Sequence, residues 1–177
     1  MVKYFLSICA CFVFYSNVAS QTPGTKNLYE FDHNSSPRWS SFENITAAKG
    51  MGGMENNGAK GHPSDGLEAG ETKVLLDAVG PGVINRIWMT IMDRSPEMLR
   101  SLKLEMFWDG EKKAAVSVPF GDFFGMGLGK TAKFNNALFG NPEGKSFLCY
   151  IPMPFKKSAR IQVTNESGKR LSHIFFD

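Results

Sequence analysis

LKLEMFWDG, residues 102–110, is the clearest strand signal in this sequence of 177 residues. Its alternate residues form one apolar face, made of Leu102, Leu104, Met106 and Trp108. Lys103 and Glu105 fall on the opposite face. Because side chains alternate between the two faces of a strand, this period of two predicts a strand with one buried face. Asp109-Gly110 follows with a residue pair that tight hairpin turns prefer.

Similar signals extend in both directions from this strand. Alternation recurs in two further segments, Val116-Val118-Phe120 and Ile161-Val163. Longer and more buried strands are predicted over residues 72–79 and 83–92. Only residues 95–99 are predicted to be helical, because Ser95 suits the cap of a helix and Pro96 its first position. Short strands at this spacing predict an all-β fold, a jelly roll or β-sandwich.

Two long segments interrupt the strands: a polar arm over residues 21–70 and a segment rich in Gly, Phe and Asn over residues 120–145. Loops of this length are functional, disordered or packed on a partner. Disorder is disfavoured in the arm because it would leave four large apolar side chains in water: Trp39, Phe42, Met51 and Met54. Because the strand pattern begins after the arm, we assign the jelly-roll β-sandwich domain to residues 71–177.

The last seven residues, 171–177, begin an apolar strand that no turn or polar tail follows. An exposed strand edge invites pairing with other chains, so a domain seldom ends on one. The sequence therefore predicts a chain that is truncated at its C-terminus or split from a downstream partner, with this edge exposed.

Residues 1–20 have the pattern of a secretory signal peptide. Lys3 supplies a positive charge, Tyr4–Tyr15 is almost continuously apolar, and Val18-Ala19-Ser20 offers the small residues that signal peptidase reads. Cleavage is predicted before Gln21. The mature chain is expected to be exported to the periplasm or the extracellular space, without a membrane segment.

The charge of the chain and the spacing of its histidines argue against nucleic-acid binding and metal binding. The formal net charge is +3 and the basic residues are scattered, so the stripe that a nucleic-acid partner requires is missing. His33, His62 and His173 lack the spacing of a zinc site, and neither a metal nor another cofactor is predicted. Cys149, the one cysteine beyond the signal peptide, lies in an apolar run that favours a buried structural thiol over a catalytic nucleophile.

The strongest chemical signal lies in the arm, between residues 40 and 62. Hydroxyl, carboxylate, amide, ammonium and imidazole groups occur there among glycines, and they can donate to and accept from the adjacent hydroxyls of a sugar. Trp39 offers an aromatic surface for the apolar face of a sugar ring. The alternative is a solvated loop rich in turns. The predicted substrate-binding residues are Ser41, Glu43, Asn44, Glu55, Asn56, Asn57, Lys60 and His62.

Several motifs resemble glycoside hydrolase family 172, which was first catalogued as an uncharacterised domain. They occur in the same order as in that family, from about residue 38 to the end of the chain. They are Trp39–Asn44, Lys49–His62, Arg86–Thr90, Met106–Gly110, Pro119–Gly125, Asn136–Phe139 and Cys149–Phe155.

This resemblance implies a double jelly roll that assembles into cyclic homo-oligomers, trimers or multiples of them. Known members act on furanosides, namely α-D-fructofuranosides, difructose dianhydride and D-arabinofuranosides. They retain configuration with two glutamates, a mechanism that needs carboxyl groups about 5–5.5 Å apart. The family's glutamates lie in motifs of the second jelly roll that this sequence does not contain. No residue of this chain is therefore assigned a catalytic role.

Two functions follow. The first is the N-terminal part of an exported glycoside hydrolase acting on furanosides, with a carbohydrate substrate, a C-terminal jelly roll and further copies of the chain as partners. The second is a non-catalytic carbohydrate-binding or structural jelly-roll protein.

Overall fold

Antiparallel β-sheets dominate residues 33–177, which are the residues that the computed structural model describes. The predicted signal peptide lies outside these residues. The contacts divide the chain after Ser35, and residues 36–177 form one compact unit. Within residues 33–177 no helix is long and apolar enough to cross a bilayer.

The helices are short and the strands carry most of the structure. In chain order the elements are α1 (Glu55–Gly58), β1 (Asp65–Leu67), β2 (Thr72–Val79), β3 (Gly82–Ile84), β4 (Ile87–Ile91), α2 (Pro96–Ser101), β5 (Leu102–Trp108), β6 (Val116–Pro119), α3 (Phe120–Phe123), β7 (Phe134–Asn135), β8 (Phe139–Asn141), β9 (Phe147–Cys149), β10 (Met153–Phe155), β11 (Ser158–Asn165) and β12 (Leu171–Phe176).

The strands form two main sheets that bury their apolar faces in one core. One sheet has the order β2-β11-β5-β6 and the other the order β1-β12-β4-β9-β8-β7, while β10 and β3 form a separate ribbon. The core joins Leu104 and Met106 of β5 to Met89 and Ile91 of β4, and all four are fully buried. This arrangement confirms the predicted all-β fold of the jelly-roll or sandwich type.

Three buried aromatic rings close one part of this core. Phe120 at the start of α3 contacts Phe124 and Phe147, with ring centroids 5.0 and 4.9 Å apart. Phe120 was predicted to continue the alternation of Val116 and Val118, and this prediction was wrong. Strand β6 ends at Pro119, and the chain then turns into α3.

Two other predicted segments are built differently. The strand predicted over residues 83–92 is two strands, β3 and β4, which belong to different sheets. The segment 120–145 was predicted to be a long loop, yet it contains α3, β7 and β8. The predicted helix is confirmed in α2, where the Ser95 hydroxyl accepts a hydrogen bond from the Met98 N–H at 3.3 Å.

Strand β12 is an interior strand of its sheet, so the predicted exposed edge is wrong. It pairs with β1 on one side and with β4 on the other, where Phe176 lies opposite Met89. Its backbone groups therefore have partners, and this strand gives no reason to expect aggregation. Strand β1 belongs to the predicted arm, so the sheet begins before the predicted boundary at residue 71.

Residues 36–70 of the arm pack beside the sandwich and shield a sheet edge. The Ser40 hydroxyl donates to the Leu75 carbonyl at 2.6 Å, and the Asp77 N–H donates to the Ile45 carbonyl at 2.7 Å. Leu75 and Asp77 belong to β2, the outer strand of its sheet, so the arm satisfies groups that would otherwise lie open. Phe42 also packs edge-on against Phe176, with ring centroids 4.8 Å apart. These contacts fix the arm on both sheets.

Candidate functional site

Asn44 organises the first turn of the arm. Its side-chain amide donates to the carbonyls of Trp39 and Ala48 at 2.8 and 3.0 Å, and its oxygen accepts from the Ala48 N–H at 2.9 Å. The residue is buried. Because these three bonds use its polar atoms within the arm, Asn44 is not available to a ligand, and we remove it from the predicted set.

Glu43 fastens the two ends of the next segment together. Its carboxylate accepts from the backbone N–H of His62 at 2.9 Å and from that of Glu55 at 3.1 Å. The bond from His62 is the main reason that the pKa of Glu43 lies below its ordinary value. The His62 ring stacks on Phe42 with centroids 5.3 Å apart. The structure therefore gives Glu43 and His62 supporting contacts inside the arm.

Residues 55–60 form a tight left-handed excursion of the backbone. Asn56, Asn57 and Lys60 have φ values of 52°, 56° and 55°. Asparagine tolerates this conformation better than most residues, which accounts for Asn56 and Asn57 without a ligand. Both asparagines and Glu55 are exposed, and none of the three lines the groove that the arm forms.

An open groove of about 420 Å³ lies on the arm. Its volume falls in the range of small-ligand sites, roughly 300–1,000 Å³. The residues that line it are Pro37, Arg38, Trp39, Ser41, Ala48, Gly50, Gly52, Gly53 and Lys60. Ser41 and Lys60 are thus the two predicted site residues that the structure brings to this groove.

Trp39 is the large aromatic surface of the groove. Its side chain is 53% exposed, although the sequence predicted that its exposure would be unfavourable. The Arg86 guanidinium lies 6.0 Å from the centre of the indole and forms an ion pair with Asp177. An exposed indole that is held in place offers a flat apolar surface to a ring-shaped ligand.

Ser41 contributes a hydroxyl group without a partner. The residue is only 2% exposed, and its Oγ forms no hydrogen bond within the structure. A buried hydroxyl without a partner costs about 1–3 kcal/mol. This oxygen has almost no accessible surface of its own, so a ligand in the groove can pair with it only after a small local shift.

Sequence reasoning missed Arg38 and Pro37, and it named Trp39 only as an accessory. The signal that identifies them is their position directly before the turn that Asn44 organises. That turn brings residues 37–41 opposite residues 48–53, although the two segments are separated in sequence.

Asp65 and Glu71 form a close carboxylate pair elsewhere in the fold. Both contact the Lys73 ammonium, at 2.6 and 3.1 Å. The bond to Lys73 lowers the pKa of Asp65, and the bond from the Glu68 N–H, with Lys73 second, lowers that of Glu71. A glycosidase acid needs a raised pKa, so this pair suits an ion-pair network rather than catalysis. Within residues 33–177 no cluster of three metal-ligating side chains comes together.

The match to a known protein family covers the sandwich and only the end of the arm. The family model described as GH172 domain-like matches residues 61–176. The match includes His62 but none of the other seven predicted site residues. No curated protein matches the chain. The family match covers more than half of the chain and agrees with the resemblance of its motifs, and we conclude that this protein belongs to the GH172 domain-like family, a group of glycoside hydrolase-related domains.

Proposed function

We propose that the arm groove binds a carbohydrate and that this chain is the N-terminal part of an exported glycoside hydrolase acting on furanosides. The observation that carries the proposal is the groove itself. It places the exposed Trp39 indole beside the Ser41 hydroxyl and the Lys60 side chain, on a domain related to glycoside hydrolases.

These groups complement the two sides of a sugar. The apolar face of a furanose or pyranose ring packs on an indole, while hydroxyl groups around the ring need hydrogen-bond partners. Ser41 adds a buried hydroxyl that lacks a partner and that a small local shift would bring to the ligand. Gly50, Gly52 and Gly53 carry no side chains, so a ligand can approach the backbone closely.

A catalytic glutamate pair is not assigned to this chain. We propose that a second jelly roll supplies it and that neighbouring copies of the chain complete the assembly. The mature chain alone is then expected to show no turnover of aryl furanosides. Robust turnover by this chain would overturn the proposed division of roles.

A non-catalytic carbohydrate-binding or structural protein is the second candidate. The close pair Asp65–Glu71 favours it, because both carboxylates contact Lys73 and have lowered pKa values, whereas a glycosidase acid needs a raised one. The two candidates differ in one result. If the second jelly roll is added and furanosides are still not hydrolysed while sugar binding persists, the non-catalytic function is correct.

The binding site is tested with Trp39→Ala. Loss of the indole should weaken the affinity for a bound oligosaccharide by about tenfold or more, as expected for an aromatic anchor. Leu128→Ala is the matched control because Leu128 is 91% exposed and does not line the groove. Equal affinities in the wild type and in both variants, measured by calorimetry, would remove the groove from carbohydrate binding.

A further inference from the structure

The charged residues that line the groove are both cations. Arg38 and Lys60 are its charged lining residues, and no carboxylate lines it. Arg86, which lies near Trp39, is already paired with Asp177. A neutral sugar can accept hydrogen bonds from these two cations, whereas a negatively charged substituent would also interact with their charges.

Lys60 occupies a conformation that a lysine does not favour. Its φ is 55°, in the left-handed region, where a residue with a side chain pays roughly 1–2 kcal/mol relative to glycine. Asn56 and Asn57 suit this conformation because their short polar side chains stabilise it locally. Lysine has no such advantage. Residues held in sparsely populated backbone conformations are enriched at binding and catalytic sites.

The Lys60 ammonium is only partly offset by a neighbouring charge. Glu43 lies close enough for Lys60 to contribute to lowering its pKa, but Glu43 does not line the groove. Its carboxylate already accepts two backbone hydrogen bonds within the arm. Lys60 forms no ion pair with any residue of the described chain. Its positive charge is therefore available to a ligand.

Arg38 retains most of its donors. One guanidinium nitrogen donates to the Ala47 carbonyl at 3.4 Å, a long bond that fixes the side chain loosely. A guanidinium carries five N–H donors in a planar fork that matches carboxylate, sulfate and phosphate oxygens. The remaining donors can contact an anion in the groove that the residue lines.

We propose that the groove selects a carbohydrate that carries a negative charge, with Lys60 and Arg38 binding the anionic group while the sugar ring packs on Trp39. The inference rests on the proposed carbohydrate site and deepens it by naming the ligand class. A uronate carboxylate and a sulfate ester present the same chemistry to these two residues, and the test separates them.

The test compares charged and neutral sugars of the same backbone against the full chain. One pair is an oligogalacturonate and its methyl-esterified form, and the other is a sulfated galactan oligosaccharide and its desulfated form. Calorimetry at about 0.15 M salt keeps weak, long-range attraction screened. We expect the charged member of one pair to bind at least about tenfold more tightly than its neutral counterpart. The pair that responds identifies the anionic group.

Variants of Lys60 and Arg38 test whether these two residues cause the preference for the charged sugar. Lys60→Gly and Arg38→Gln should each weaken binding of the charged sugar about tenfold, whereas Lys113→Met, at an exposed lysine outside the groove, should leave it unchanged. Lys60→Gly should also raise the melting temperature, because glycine adopts the left-handed conformation without strain. A lower melting temperature together with weaker binding would mean that Lys60 is structural and would overturn the proposal.

The remaining outcomes separate this inference from the proposed function. Equal or tighter binding of the neutral sugars overturns the preference for charge but leaves the carbohydrate site in place. Binding of the charged sugars that survives Lys60→Gly and Arg38→Gln also overturns it. Failure of all four sugars to bind overturns the preference for charge, while the carbohydrate site itself is tested separately by Trp39→Ala.

Discussion

Asn57 shows how a residue with ligand-binding chemistry can be explained by its backbone. Its φ of 56° favours asparagine or glycine. We expect Asn57→Gly to keep or raise the free energy of unfolding and Asn57→Ala to lower it by about 1 kcal/mol. Chemical denaturation measures both. Sugar affinity decides the role of the side chain, because an Asn57→Gly variant that is stable but no longer binds sugar would return Asn57 to the site.

Asp109 links a turn to a neighbouring segment through its charge. Its φ of 57° and that of Gly110, 84°, confirm the predicted tight turn after β5. Its carboxylate accepts from the N–H groups of Lys157 and Lys156 at 2.7 and 2.8 Å. The bond from Lys157 is the largest of the influences that hold the pKa of Asp109 below its ordinary value.

This lowered pKa predicts a pH-dependent effect for Asp109→Asn, which keeps a side-chain oxygen but loses the charge. A carboxylate with a lowered pKa stabilises the fold above its unfolded pKa of about 3.9, and this stability is lost as pH falls through the folded pKa. The wild type should therefore be more stable than the variant at pH 7, and the difference should shrink towards pH 3. Urea unfolding at both pH values measures it. A difference that does not change with pH would contradict the role of the charge.

Cys149 is fully buried in β9, which confirms the prediction made from its apolar neighbours. Burial raises the pKa of its thiol, so little reactive thiolate forms at neutral pH. We expect slow labelling by a thiol reagent in the native protein and rapid labelling after denaturation. Rapid native labelling would place Cys149 on an accessible surface.

At the scale of elements, Asn165 joins β11 to its neighbours. Its side-chain amide donates to the carbonyls of Leu67 and Lys169 at 3.1 and 2.7 Å, and its oxygen accepts from the Ser167 N–H at 3.0 Å. Asn165 is fully buried, so Asn165→Ala leaves these groups without partners and should cost about 1–3 kcal/mol. Asn135→Ala, at an exposed strand residue, is the control. Equal stability of the two variants would exclude this role.

The strand predictions succeeded where one strand lies in one sheet. The apolar run over residues 72–79 and the alternation over residues 102–108 predicted β2 and β5, each of which lies in a single sheet. The prediction of one strand over residues 83–92 failed because periodicity does not reveal that consecutive strands join different sheets. The polar pair Asn85-Arg86 marks the break. The prediction for Phe120 failed because the strand ends at Pro119. A proline near the end of a strand is a signal that the sequence does contain.

The candidate site was predicted in region but not in detail. Residues 36–70 of the arm have little regular secondary structure, so their backbone groups need side-chain partners. Asn44 and Glu43 supply these partners. The presence of amides and carboxylates in the sequence does not tell whether they bind the backbone or a ligand. Arg38 and Trp39 reach the groove through contacts distant in sequence, which local patterns do not show.

At the scale of the whole molecule, the pattern of a signal peptide predicts where the mature chain begins. The apolar run followed by Val18-Ala19-Ser20 predicts cleavage before Gln21. N-terminal sequencing of protein recovered from the medium or the periplasm should therefore begin at Gln21. A secreted product that still begins near Met1 would contradict the predicted leader.

We propose that the arm of this sandwich carries a carbohydrate groove centred on Trp39. The chain has three tryptophans, and Trp39 is the one that lines the groove. The most direct measurement follows the three indole N–H resonances by NMR while an oligosaccharide is added, with Trp39→Phe used to assign its signal. We predict that the Trp39 resonance shifts and saturates while those of Trp88 and Trp108 stay in place. A Trp39 signal that does not move when the sugar is bound would contradict the account.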